Sequence, residues 1–361
     1  MDIRRIRQWG ITLLLIAILS GAAGCAQPKT QEEPTPTPTE VVLQATEPAS
    51  TSTPRPTPTP TEAPLGEPAN PITMAFVLQP EETTAIDAAQ EVVSLISSDT
   101  SLAVESVIYP DFLSLSTAVI DGDVDLFWLN PLEYLYLNGH GAADVMLVTN
   151  HLGVYVYGIR YLANTNRGFT SYYDADLDGS YGDPLSALQQ FAGTRPCFIN
   201  PQSLPGYLTP LGLLQNTSTP TLDPVFVYGY SAVIRALYIG GICDFGVSYA
   251  LIGDARTAGD ILQDIPDAEN VVGVVWQSEG IIPNLNLSVS PVLPLNLQVQ
   301  LQEAVLDLAD SPDVLTRLST ALNYEVGALK VEADSFYTPL RSILAPLGLD
   351  YQSITQETPF H

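Results

Sequence analysis

Cys197-Phe198-Ile199-Asn200-Pro201-Gln202-Ser203-Leu204-Pro205-Gly206-Tyr207-Leu208 is the stretch whose reading decides the fold. An apolar run ends in polar, Pro- and Gly-containing residues, and an apolar stretch then resumes toward Leu214. The pattern predicts a buried strand, a tight turn and a helix whose first amides are capped by Ser203. A helix start presents unpaired N–H groups and the positive end of its dipole, so it suits an anion. An ordinary strand-to-helix connection has the same pattern, and the rest of the chain must decide between the two.

Upstream, Pro71 to Val77 reads as a strand entering the core, and a helix from Thr83 places Ile86, Ala89, Val92, Val93 and Ile96 on one face. Leu102 to Tyr109 alternates as a second strand, and Phe112 to Ile120 suits a helix ended by Gly122. Val124 to Leu129 is a third strand, followed by Asn130-Pro131 and a helix through Tyr136, and Val145 to Val148 is a fourth strand. A second series has strands at Arg195–Asn200, Pro224–Tyr228 and Cys243–Tyr249, with a helix from Ser231 to Gly240-Gly241. Val271 to Trp276, a turn at Ile282-Pro283-Asn284, a strand Leu285–Ser290 and closing helices complete the body. Strands and helices alternating at this spacing predict α/β architecture with parallel sheet and right-handed crossovers. Two such series joined by extended segments predict two lobes with a cleft between them.

The chain of 361 residues has a formal charge of −27, with 46% apolar and 15% charged residues. Residues 69–361 hold eight Lys/Arg against 33 Asp/Glu. So acidic a body repels nucleic acid and anionic membrane surfaces, and neither is expected as a partner. Any anionic ligand would have to be held by backbone amides and hydroxyls.

Arg4, Arg5 and Arg7 precede an apolar run from Trp9 to Leu19 and the small residues Ser20-Gly21-Ala22-Ala23-Gly24 before Cys25. A basic start, a short apolar region and small residues make a secretory signal, too short for a comfortable membrane span. The segment ending in Cys25 resembles a bacterial lipobox, which implies a signal peptide over 1–25, lipidation of Cys25 and attachment to the membrane through that lipid alone. Residues 26–69 are rich in Pro and Thr and cannot bury enough surface to fold. As an extended spacer of about 3.1 Å per residue, roughly 40 residues reach on the order of 100 Å.

Five segments taken in order resemble the PhnD-like phosphate/phosphite/phosphonate substrate-binding proteins of ABC transporters, which have a type II periplasmic-binding fold. They are Gly122-Asp123-Val124-Asp125-Leu126-Phe127-Trp128-Leu129-Asn130-Pro131; Asn200 to Pro210; Ala232 to Leu237 with Cys243 to Tyr249; Val275-Trp276-Gln277-Ser278 with Ile282-Pro283-Asn284; and Asp334 to Arg341. The resemblance implies a first lobe from 70–155 plus 280–361, a second lobe from 156–279, each with a mostly parallel sheet flanked by helices, and ligand capture by lobe closure. It further implies delivery of a small, oxyanionic ligand to an ABC permease, without catalysis. Carried over by position, the ligand-facing residues are Ser203, the amides of Gly206 and Tyr207, Tyr157, Tyr230, Asn130 and Phe112.

The chain departs from the family at several of these positions. Leu204 and Pro205 replace two of three hydroxyl donors, Tyr230 stands where the family has His, and Phe112 where it has Tyr. Leu285 occupies the place of an acid that recognises an aminophosphonate's ammonium. These changes point to a small ligand that is less charged or aromatic. A pocket degenerated in this way also fits a second reading, a sensor or scaffold that signals to a membrane partner.

Asp174-Ala175-Asp176-Leu177-Asp178-Gly179 spaces carboxylates as the start of a calcium loop does, with Asp183 as a later candidate ligand and Leu185 where an EF-hand needs Glu. Structural calcium there is an expectation, set against a solvated acidic insertion. Cys197 and Cys243 begin strands expected to be neighbours, and either a disulfide or two buried thiols fits. His140 and His151 lack a nearby nucleophile signature, and no zinc spacing or Gly-x-Ser-x-Gly elbow occurs.

Overall fold

The computed structural model describes residues 63–356. The expected signal peptide, Cys25 and residues 26–62 of the expected tether lie outside the described residues. Residues 64–69, the end of the expected tether, instead form a turn in which Gly66 N–H donates to Asn70 O at 2.8 Å. Leu65 packs onto the first core there, which is enough apolar burial to order the segment.

In the first layer β1 (Ile72–Val77), α1 (Thr83–Thr100), β2 (Val104–Tyr109), α2 (Phe112–Asp121), β3 (Leu126–Leu129), α3 (Pro131–Gly139) and β4 (Asp144–Asn150) alternate as the periodicity predicts. On α1 the residues Ala85, Ala89, Val92, Val93 and Ile96 recur at helical spacing and are buried against Ile72, Met74 and Phe76. The Asp111 carboxylate accepts the Ser114 N–H to start α2, and Gly122 stops it at φ 84°.

The chain then crosses to β5 (Val156–Asn164), a short hairpin β6 (Tyr173–Asp174) and β7 (Gly179–Ser180), α4 (Pro184–Gln189), β8 (Pro196–Phe198) and α5 (Thr209–Asn216). It continues through β9 (Val225–Phe226), α6 (Tyr230–Ile239), β10 (Phe245–Ala250), α7 (Gly259–Asp264), α8 (Ala268–Val271), β11 (Val272–Gln277) and β12 (Ile282–Pro283). It returns with β13 (Asn286–Val289), α9 (Leu295–Ala309), α10 (Pro312–Leu322), β14 (Ala328–Val331), α11 (Thr338–Leu344) and α12 (Tyr351–Gln356).

One sheet has the order β14-β4-β13-β3-β1-β2 and the other β11-β5-β10-β8-β9, with β12 also on β5. In each, most strands share one direction, with antiparallel pairings where the chain re-enters. β1 pairs parallel with β2 and β3, and β8 with β9 and β10, but β13 and β5 run antiparallel to their neighbours. The cause is where the chain enters. β3 ends at the cleft with Leu129, and β13 begins there, Asn286 opposite Leu129. Likewise β5 starts near the end of β10, with Gly158 opposite Ala250. A strand arriving from the other lobe therefore points away from the cleft, as does β14 on the far side of β4, whereas β1 to β4 and β8 to β11 point toward it.

The two crossings lie side by side and are tied by Asn284, whose Nδ2 donates to Thr149 O and Val154 O while its N–H donates to Tyr155 O. The C-terminal segment also spans the lobes. α11 packs on α5, and α12 on α2 and α3. Asn216 Nδ2 donates to Ile343 O, and the backbone of Gly212 comes so near that a Cβ there would sit 2.3 Å from that carbonyl oxygen. Cys197 and Cys243 form a disulfide. Cys243 lies ahead of β10 rather than on it, so the pair avoids the geometry that neighbouring parallel strands would impose.

Candidate functional site

Between the lobes lies a cavity of about 550 Å³. The first lobe contributes the start of α3, where a capping box forms: Leu132 and Glu133 N–H groups donate to Asn130 Oδ1, and Asn130 N–H donates to the Glu133 carboxylate at 2.8 Å. Pro131 occupies the first helical position, where no N–H is needed. Glu133 is 1% exposed, and burial pushes its carboxyl up to about 8 against the opposing pull of the Asn130 hydrogen bond.

The second lobe contributes the turn after β8. Ile199, Asn200, Gln202, Ser203, Leu204 and Pro205 line the cavity there. Residues 204–208 make one wide helical turn, with Leu208 N–H reaching back to Ser203 O at 2.9 Å, and α5 continues from it. Ser203 caps this turn by accepting the Gly206 N–H on Oγ at 3.0 Å. Gly206 must be glycine, because a Cβ would lie 2.2 Å from Ile199 Cγ1.

Three tyrosines complete the lining: Tyr157 at the start of β5, Tyr230 at the start of α6 and Tyr249 near the end of β10. Tyr230 and Tyr249 meet edge to face with centroids 4.9 Å apart. Burial pushes the Tyr157 phenol well above its ordinary range, with Tyr230 and Tyr324 adding to the shift. Burial raises Tyr230 against a contact with the Ser203 hydroxyl, and raises Tyr249 with help from Asp254. All three are neutral phenols at physiological pH, able to donate and accept hydrogen bonds.

Four of the residues expected from sequence, Asn130, Tyr157, Ser203 and Tyr230, thus meet in one cavity. Three do not line it. Phe112 is buried in the core, edge-on to Tyr136 at 6.0 Å. Gly206 N–H is consumed by the Ser203 cap, and Tyr207 N–H donates to Ser203 O while its ring packs on Phe198 and Phe226. Sequence reading passed over Tyr249, Ile252, Asn200 and Gln202. Asn200 and Gln202 belong to the polar run beside Ser203, whereas Tyr249 on β10 and Ile252 beyond its end carry no such signal.

The Asp174–Asp183 loop lies elsewhere. Asp178 accepts from buried Arg160 at 2.6 Å and from Tyr173 at 2.6 Å, which hold its carboxyl below the ordinary range, the Tyr173 bond foremost. Asp174 accepts the Asp176 and Leu177 N–H groups, and Asp183 caps α4. The carboxylates of Asp174, Asp178 and Asp183 are each turned to their own partners, and among the described residues no group of three or more His, Cys, Asp or Glu converges as a metal site would require. His140 and His151 bond to the backbone oxygens of Tyr136 and Glu325, in structural contacts.

Two α/β lobes closing on one cavity, joined by paired crossings, define a cleft-type solute-binding protein. Residues 74–326 match the family described as "ABC transporter, phosphonate, periplasmic substrate-binding protein". The chain belongs to that family, which comprises extracytoplasmic binding components of transporters rather than enzymes, with the type II periplasmic-binding fold. Among curated proteins, phosphate-import protein PhnD of Mycolicibacterium smegmatis is 24% identical over 194 residues, covering 51% of this chain and 56% of that one. The chain therefore matches about half the length of that relative. Among solved structures, XAC2383 from Xanthomonas citri bound to chloride ion has a TM-score of 0.54 at 13% identity, covering 80% of this chain and 99% of that one. The same protein bound to ATP gives 0.53 at 14% identity and the same coverage. These two show a shared fold. No helix among the described residues is long and apolar enough to cross a membrane.

Proposed function

We propose that the chain is a lipid-tethered solute receptor, which captures a small molecule between its lobes and presents it to an ABC permease. The observation that carries this reading is a single cavity lined from both lobes, Asn130 and Leu132 on one side and Ser203, Tyr230 and Tyr249 on the other. A ligand touching both walls favours the state in which they are close, and the paired crossings at 150–156 and 283–286 are where the backbone bends. The lipobox at Cys25 supports attachment of the chain to the membrane in which the permease sits. Crosslinking the full-length chain in its native membrane is expected to recover a permease and its ATP-hydrolysing subunit, and Cys25→Ser is expected to release the chain from the membrane. Recovery of a sensor kinase with no transporter subunit would replace transport by signalling.

A further inference from the structure

The cavity's charge is the feature that the family alone does not account for. None of its lining residues is Lys, Arg, His, Asp or Glu. Both helix starts that face it spend their own donors. At the second-lobe turn, Gln202 N–H donates to Asn200 Oδ1, Ser203 N–H to Asn200 O, Gly206 N–H to Ser203 Oγ, and Tyr207 and Leu208 N–H groups to Ser203 O. Pro205 has no N–H, which leaves only that of Leu204. At the first-lobe wall the box of Asn130 and Glu133 occupies the donors in the same way, and Pro131 has none. An oxyanion placed here would give up its hydration for one spare backbone amide, side-chain amides and a few hydroxyls, with no cationic side chain in the lining, inside a protein of formal charge −27.

What the cavity does offer is aromatic and amide surface. Tyr157, Tyr230 and Tyr249 present rings and hydroxyls, Asn130 and Asn200 are amides that both donate and accept, and Leu204 and Ile252 are apolar. Asn130 Nδ2 is not engaged by another described residue, since its oxygen alone serves the cap. The volume of about 550 Å³ lies in the range that takes drug-sized organic molecules and far exceeds a tetrahedral oxyanion.

We propose that the ligand is an uncharged, ring-bearing molecule of the nucleoside or cyclic-polyol kind, its ring packed on the tyrosines and its polar edge paired with Asn130, Asn200 and Ser203. This rests on the reading of the chain as a solute receptor and specifies what it receives.

The test is a thermal-shift and calorimetric panel on the full-length chain, with uridine, adenosine and a set of cyclic sugars as uncharged probes. Inorganic phosphate and methylphosphonate serve as oxyanions, and choline as a cation. At a hundredfold excess over the dissociation constant, an uncharged ring compound is expected to raise the melting temperature by about 3 °C or more. Its affinity should change less than about twofold between about 20 mM and about 500 mM salt, because no charge is being screened. Leu204→Trp or Ile252→Trp, either of which fills the cavity, should abolish the shift, and Tyr230→Ala should weaken binding at least about tenfold. Phosphate, methylphosphonate or choline binding, lost in the filled variants, would overturn the uncharged class and leave the receptor reading standing. No response to any of the three classes, with no compaction in solution scattering, would overturn both.

Discussion

The first-lobe wall at Asn130–Glu133 and the second-lobe wall at Ser203–Leu208 are both helix starts with a side-chain cap and an early proline. They are braced differently. Behind the first stands a buried carboxyl without an ion-pair partner among the described residues, whose tolerance depends on its proton. Behind the second stands β8, held by the Cys197–Cys243 disulfide, and deeper in the lobe Arg160 is pinned by Gln277, Asp178 and Asp254. One cleft is thus built from a wall whose stability is expected to depend on pH and a wall whose stability is expected to depend on a disulfide. The contrast shows that similar local caps can be stabilised by unrelated means.

The largest break in this comparison should come from the disulfide. It closes a loop of sequence separation 46, for which the chain-entropy estimate is about 4 kcal/mol. Replacing both cysteines by Ser should lower second-lobe stability by about that amount, read in denaturant unfolding through Trp276. An equal loss at Trp128, on β3 of the first lobe, would show that the lobes unfold as one unit.

Next in size is the pH response of the first wall. Because the folded carboxyl of Glu133 is raised to about 8, the folded protein holds this proton more tightly than the unfolded chain. Its contribution is therefore full below the ordinary carboxylate range and declines as pH rises toward 8, with a slope of at most about 1.4 kcal/mol per pH unit. Glu133→Gln should flatten this part of the stability profile and be the more stable form near pH 8. A slope unchanged in the variant would place the titration elsewhere.

Gly212→Ala tests the seam by which the C-terminal segment joins the lobes. The added methyl meets the Ile343 carbonyl oxygen at 2.3 Å, so α5 and α11 must separate, at about 1–3 kcal/mol in thermal unfolding. The smallest effects belong to the caps. Asn130→Ala removes an acceptor of two N–H groups and should cost about 2 kcal/mol, whereas Ser203→Ala removes one and should cost about 1 kcal/mol. A reversed order would mean that the wide turn, rather than the box, is the less tolerant start.

Much of the fold was legible because its elements announce themselves locally. The helical spacing of Ala89, Val92, Val93 and Ile96, the Asp111 and Gly122 boundaries of α2, and the Asn130-Pro131 start of α3 all lie within a few residues of their cause. The family resemblance then located Asn130, Tyr157, Ser203 and Tyr230 in one cleft. The direction of two strands escaped, since β5 and β13 acquire their antiparallel neighbours from where the chain re-enters a sheet. Tyr249 escaped because a tyrosine on a strand reads as core until its neighbours across the cleft are known.

The residues alone determined that two α/β lobes form and that Ser203 starts a helix, because strand, turn and cap are set by short-range sterics and hydrogen bonding. Only the tertiary structure decided whether that helix start has donors to give. Ser203, Asn200 and Gly206 satisfy one another there, and Ile199 leaves no room for anything larger than glycine. The polarity of the cleft follows from packing and mutual hydrogen bonding, which no single position records.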